Sequence, residues 1–135
     1  MRIGVFQIGQ ACRGIDLTKD SKYLIAAATT DGIHIYEVST GKKLSTIQVP
    51  GVNTKMVALN YGDNQVLCLY DYEKRSYIRI FNIEDCLASN TPNHVLEIAA
   101  TGDNLYTGIV WGAKNESIII STNNGKLILY DLVQK

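Results

Sequence analysis

Residues able to do chemistry are few in this sequence, and they do not converge. There are two histidines. His34 stands between Ile33 and Ile35 in an alternating run, so its ring points away from theirs. It reads as a histidine at the surface or between neighbouring elements rather than as a general base. His94 opens a later apolar run after a polar stretch and reads the same way. Cys12, Cys68 and Cys86 are odd in number and widely spaced, with no Cys-x-x-Cys and no His-rich cluster beside them. They fit small hydrophobic roles better than metal ligation, and a reduced compartment better than a disulfide framework. Gly9 and Gly14 have no Lys in the place a phosphate cradle requires. "NES" at Asn115 matches a glycosylation sequon, but a cytosolic chain would use it only as a turn. The expectation is a protein without catalytic residues, metal or cofactor.

Two stretches suit binding instead. "YEKRSYIR", Tyr72 to Arg79, joins three cations to two tyrosines. Such a mixture can stack bases or hold phosphate, and it also makes a solvated hairpin turn. Lys74 and Arg75 are its best candidates for a peripheral contact with protein or RNA. Trp111, the single tryptophan, ends an apolar run beside Gly112. It reads as a core residue wedged between elements in preference to a ligand platform.

The chain has 135 residues, 46% of them hydrophobic and 19% charged, enough for one globular domain that buries roughly two-thirds of its unfolded surface. Thirteen Lys and Arg balance thirteen Asp and Glu, so no net field gathers DNA phosphates or an anionic membrane. No run of eighteen apolar residues occurs, and the apolar stretch in "MRIGVFQIGQ" is shorter than a secretory signal core. Neither secretion nor a membrane span is expected, and the cytoplasm is the expected location.

The positioning elements are strands. Apolar stretches are short, rich in Val, Ile, Tyr and Thr, and bounded by Gly, Asn or Asp, with no sustained helical periodicity. "TDG" at Thr30 to Gly32 and "NNG" at Asn123 to Gly125 are tight-turn signals. The strands also repeat. "GIDL" at Gly14, "VALN" at Val57 and "GIVW" at Gly108 lie 43 and 51 residues apart. "YLIAAAT" from Tyr23, "QVLCLYD" from Gln65 and "SIIIST" from Ser117 follow, and then "IHIYEV", "YIRIFNI" and "KLILYDL". The aromatics Tyr36, Phe81 and Tyr130 recur in these last strands at intervals of 45 and 49. A further strand precedes each trio: "RIGVFQI" from Arg2, "KLSTIQV" from Lys43 and "HVLEIAA" from His94.

Four strands per unit at this period indicate an all-β chain of WD40-type β-propeller blades. The repeats cover roughly residues 1–40, 41–85 and 86–135. "EDCLASNTPN" reads as a polar surface loop, and "DYEKRSY" as an enlarged hairpin turn. Propellers usually close with four to eight blades, so about three repeats make a partial ring whose flanks must be covered by further chain, an assembly partner or a second copy.

Over its whole length the chain resembles subunit i of the eukaryotic translation initiation factor three complex, a WD-repeat propeller. The resemblance is carried by "YTGIVWGAKNESIIISTNNGKLILYD", by "RIGVF" followed by "GIDLTKDSKYLIA", and by "LYDYEKRSYIRIFNIEDC". It implies a non-catalytic scaffold that binds other subunits, b and g among them. The small ribosomal subunit and messenger RNA would be engaged through the complex, and Lys74 and Arg75 would contact protein or ribosomal RNA. In the family, later blades carry much of the docking surface for b and g, so the resemblance assigns those contacts to no residue here. No repeat opens with Gly-His and no third strand ends in Trp-Asp; Tyr36-Glu37, Phe81-Asn82 and Tyr130-Asp131 stand there instead. Aromatic packing is therefore expected in place of the buried Trp, Ser, His and Asp network of typical blades. The alternative reading is a WD-repeat adaptor of another complex, serving ubiquitin ligation, trafficking or signalling.

Overall fold

The computed structural model describes residues 4–50, 53–89, 91–101 and 105–132. Three antiparallel sheets follow one another along the chain. The first holds β1 (Cys12–Leu17), β2 (Tyr23–Ala28), β3 (Gly32–Glu37) and β4 (Lys43–Ile47). The second holds β5 (Asn53–Leu59), β6 (Gln65–Tyr72), β7 (Arg75–Asn82) and β8 (Leu96–Ala99). The third holds β9 (Tyr106–Trp111), β10 (Ser117–Thr122) and β11 (Leu127–Asp131), with no fourth strand among the described residues. Each four-stranded sheet thus takes its outermost strand from the start of the next sequence repeat.

The sheets stack face to face, and the two-residue period of a strand decides which side chain meets which neighbour. Ile25, Ala27, Ile33, Ile35 and Ile47 of the first sheet share a core with Val57, Val66, Cys68, Tyr70 and Phe81 of the second. The alternate residues of the second sheet, Leu67, Leu69, Ile78 and Ile80, share another with Tyr106, Ile109, Ile118 and Ile120 of the third. A strand such as β6 is buried on both faces, which is why "VLCLY" is an unbroken apolar run. Gly32 shows how closely the strands approach. Its φ is +99°, and an added Cβ would meet the carbonyl oxygen of Ile47 at 2.3 Å.

Three local expectations are corrected. The loop after β7 begins with a helix, α1 (Ile83–Ala88), which buries Ile83 and Cys86. Acidic Glu84 and Asp85 lie in its first turn, where the helix dipole favours them. Ser45 donates to the Cys86 carbonyl at 2.8 Å, so α1 ties the second sheet to the first instead of trailing in solvent. The β6–β7 turn is not enlarged either. Both strands run eight residues and close on Glu73 and Lys74 alone, with φ of 51° and 64°. Two central residues at positive φ form a turn whose twist matches its strands. Finally, residues 4–8 of the expected first strand are irregular, and Arg2 and Ile3 lie outside the described residues.

Candidate protein-interaction surface

Polar chains along the joints between sheets fix the surfaces that a partner could read. In the first sheet, His34 is 1% exposed and bridges two groups: Nε2 lies 2.9 Å from Asp31 Oδ2 and Nδ1 lies 3.0 Å from the Tyr36 hydroxyl. Nε2 thus faces a carboxylate and Nδ1 a phenol hydroxyl, so both ring nitrogens have a polar partner. Gln10 donates to the same Asp31 oxygen at 2.8 Å, and its own oxygen accepts from the Thr30 backbone and hydroxyl at 2.5 and 2.6 Å. The His34 hydrogen bond, and then that of Gln10, hold the Asp31 carboxyl below its ordinary value, while burial raises the Tyr36 phenol. A polar network therefore does stabilise this blade. It is built from Gln, Asp, His and Tyr, which corrects the expectation that aromatic packing alone would replace the usual one. His34 is a buried structural residue rather than a surface one.

The joint between the second and third sheets carries a second network. Lys55 Nζ lies 3.1 Å from Asp71 Oδ1 and donates to the Tyr106 carbonyl at 2.5 Å. Ser76 donates to Asp71 at 2.6 Å and accepts from the Tyr106 backbone N–H at 2.9 Å, and Asn53 donates to the other Asp71 oxygen at 3.2 Å. Arg13 reaches Asn53 from the first sheet. Trp111 is wedged into this joint as expected, half-buried, with its indole N–H on the Ala58 carbonyl at 3.1 Å. On the opposite rim the Lys19 backbone N–H donates to Asp63 at 2.6 Å, and its Nζ donates to the Tyr61 carbonyl at 2.5 Å. Both rims of the first joint are therefore tied.

Lys74 and Arg75 are exposed at the tip of the β6–β7 hairpin. Tyr72 is exposed beside them, while Tyr77 and Arg79 are partly buried in the sheet. Arg79 pairs with Glu97 at 2.6 Å, and Tyr77 stacks on buried Tyr70 with ring centroids 5.5 Å apart. His94 lies edge-on to Phe81. Cys12 is exposed, whereas Cys68 and Cys86 are buried, and burial pushes both of those thiols up to about 12. Among the described residues no three His, Cys, Asp or Glu side chains gather to hold a metal, and no helix is long and apolar enough to cross a membrane.

The outer face of the third sheet is apolar and bare. Val110 is 57% exposed, Ile119 37%, Leu127 78% and Leu129 68%. Val110, Ile119 and Leu129 lie side by side across β9, β10 and β11, so the patch is one continuous row. The counterparts of Leu127 and Leu129 in the first two sheets, Ile33, Ile35, Ile78 and Ile80, are buried against the next sheet. The bare face of the third sheet is the flank that the repeat count expected to stay uncovered within three repeats.

Radially stacked antiparallel sheets, the first two each finished by a strand from the following repeat, are blades of a WD-repeat β-propeller, here in a partial ring. The RRP9 WD40 repeats superpose with a TM-score of 0.74 at 16% identity, covering 92% of this chain and 36% of that one. The Myceliophteria thermophila Cps50 (Swd1) β-propeller domain gives 0.73 at 17%, covering 89% and 37%. In sequence the chain is similar to Eukaryotic translation initiation factor 3 subunit I of Dictyostelium discoideum, 27% identical over 132 residues. That match takes in 96% of this chain and 39% of the relative's length. No protein-family model matches the chain. Fold and similarity together point to a partial WD-repeat propeller similar in sequence to part of subunit I.

Proposed function

We propose that this chain is a non-catalytic scaffold within a cytoplasmic initiation factor 3 assembly, holding other subunits, b and g among them. Through that assembly it supports engagement of the small ribosomal subunit and messenger RNA. The observation that carries the reading is the similarity to subunit I along nearly the whole chain, on a fold whose sheets are tied by partly buried polar contacts. Rigid rims suit docking because little conformational freedom remains to be lost on binding. Lys74 and Arg75, at an exposed hairpin tip, supply a peripheral cationic contact to protein or ribosomal RNA.

Affinity purification of the tagged chain from its own cells, followed by mass spectrometry, tests the reading. Initiation factor 3 subunits are expected in near-stoichiometric recovery. Recovery of a ubiquitin-ligase, trafficking or signalling complex without them would overturn it in favour of another WD-repeat adaptor. Lys74→Glu with Arg75→Glu should weaken ribosomal co-sedimentation while leaving subunit recovery intact, and unchanged co-sedimentation removes the proposed role of the tip.

A further inference from the structure

The sequence holds two prolines, and they differ in what precedes them. Pro50 follows Val49, whereas Pro92 follows Thr91, the one hydroxyl residue in the sequence that stands before a proline. A proline lacks a backbone N–H and steers the residue ahead of it away from helical backbone toward extended backbone. Thr91 is thus presented on an extended segment, next to a residue that asks for no hydrogen-bond acceptor.

Placement in the fold keeps the pair accessible. The helix α1 ends at Ala88 and β8 begins at Leu96, so Thr91 and Pro92 belong to neither element. Thr91 is exposed, and so are Ser89, Asn93, His94 and Val95 around it. Its backbone N–H donates to Ser89 Oγ at 3.0 Å, and its hydroxyl lies 3.2 Å from the same oxygen. Both contacts come from one exposed side chain two residues upstream, so drawing the hydroxyl away breaks no strand pairing. With Thr46 and Gln48, the pair lines an open depression of about 450 Å³, so this flank of the loop is not packed shut.

The loop is anchored at both ends. Upstream, α1 buries Ile83 and Cys86, and the Cys86 carbonyl accepts from Ser45 of β4 at 2.8 Å. Downstream, the Val95 N–H donates to the Ile80 carbonyl at 2.7 Å. A short exposed stretch between fixed ends can be lifted into an enzyme cleft while the blade stays folded.

We infer that Thr91 is a phosphorylation site for a proline-directed protein kinase. Thr91 Oγ1 bonds to the γ-phosphorus of ATP, and the bond from that phosphorus to the bridging oxygen of ADP breaks. ADP leaves, and the hydroxyl proton passes to the carboxylate base of the kinase. The product carries a charge of about −1.5 to −2 at neutral pH and three acceptor oxygens. It shares its depression with the Thr46 hydroxyl and the Gln48 amide, both able to donate to it. Since Ser45 and Thr46 belong to β4, the site places a switchable charge along the outer edge of the first sheet, where an unpaired strand edge could otherwise add another chain. The inference rests on local sequence and exposure, and it holds whether or not the chain serves an initiation-factor assembly.

The purified chain, incubated with ATP and a mitogen-activated protein kinase, should gain phosphate that peptide mass mapping places on Thr91. Thr91→Ala should abolish this incorporation, Thr91→Ser should retain it, and Pro92→Ala should remove most of it, each with an unchanged circular dichroism spectrum. A synthetic peptide of residues 86–97 supplies the unstructured standard. The folded chain should be modified at a rate comparable with that peptide, because its loop presents the site as it stands. No phosphate on Thr91, phosphate on Pro92→Ala at the unsubstituted rate, or modification of the peptide without that of the folded chain overturns the inference.

Discussion

Removing the Lys55 ammonium should loosen the joint between the second and third sheets by an amount that can be worked from its geometry. Lys55 and Asp71 lie 3.1 Å apart, and each side chain is 17% exposed. At an effective dielectric constant of about 20 the gross attraction at this distance is about 5 kcal/mol. Desolvation of both ions takes back most of it, leaving a coupling of about 1–2 kcal/mol. Lys55→Met also deprives the Tyr106 carbonyl of its donor, for about 1 kcal/mol more. Lys55→Met should therefore cost about 2–3 kcal/mol, and Asp71→Asn rather less because Ser76 and Asn53 still bond that side chain. Urea unfolding of the parent, both single variants and the double variant, at one protein concentration, closes the cycle. A coupling below about 0.3 kcal/mol, the level at which independent sites are simply additive, would refute the claim that this ion pair holds the joint.

Cavity formation should dominate at Phe81, which is 1% exposed in the first core: Phe81→Ala is expected to cost about 3–5 kcal/mol by the same urea assay. Gly32→Ala should lower the melting temperature more than Gly125→Ala. Both glycines have positive φ, but only at Gly32 does the new Cβ strike backbone, as differential scanning calorimetry can compare. Glu97 is held below its ordinary 4.5 chiefly by its hydrogen bond from Arg79. Its depressed folded value means that its stabilisation is complete above pH about 4.5 and is lost as the pH falls through that folded value. Glu97→Gln should accordingly flatten stability against pH below 4.5, read from urea midpoints at successive pH values. Alkylation at pH 8 should modify Cys12 in the native chain, and Cys68 and Cys86 only after unfolding, as peptide mass mapping will show.

Strand identity was legible because each buried run is short and punctuated, and because Tyr36, Phe81 and Tyr130 recur at one place in three repeats. The stacking of sheets followed from the same repeat. What escaped was structure whose partners are far apart in sequence or whose signal is brief. Gln10 lies 21 residues from Asp31, and Lys55 lies 51 from Tyr106, so no local pattern announces either bond. The helix α1 is six residues long, and its apolar Ile83, Cys86 and Leu87 make one turn of periodicity inside a polar stretch. Glu73 and Lys74 are poor advertisements for a two-residue turn, since Asn or Gly usually occupies such backbone. At that hairpin the long ladder of β6 and β7 overrides local preference. Lys74 and Arg75 could be singled out by charge, but only the tight turn places them at a tip.

That tip bears on how a scaffold of this kind presents charge. The strands β6 and β7 are eight residues long, whereas β2, β3 and β10 have six and β11 five. At about 3.3 Å per residue, two further residues carry the turn about 7 Å along the strand direction. Asp71, the nearest acid on β6, is occupied by Lys55, Ser76 and Asn53, while Tyr77 is held by stacking on Tyr70. The extension therefore sets Lys74 and Arg75 in water beside the exposed Glu73, two cations against one acid at the tip. Their field is strongest toward an approaching anionic surface, and it is screened within about 8–10 Å at physiological salt. Such an arrangement steers a contact more than it strengthens one, because exposed pairs add little affinity. The bare third sheet has the opposite character. It exposes Val110, Ile119, Leu127 and Leu129 in one apolar stretch, with Asp131 at the end of the same face. One chain thus presents two unlike surfaces, a hairpin tip carrying Lys74 and Arg75 and an apolar sheet face.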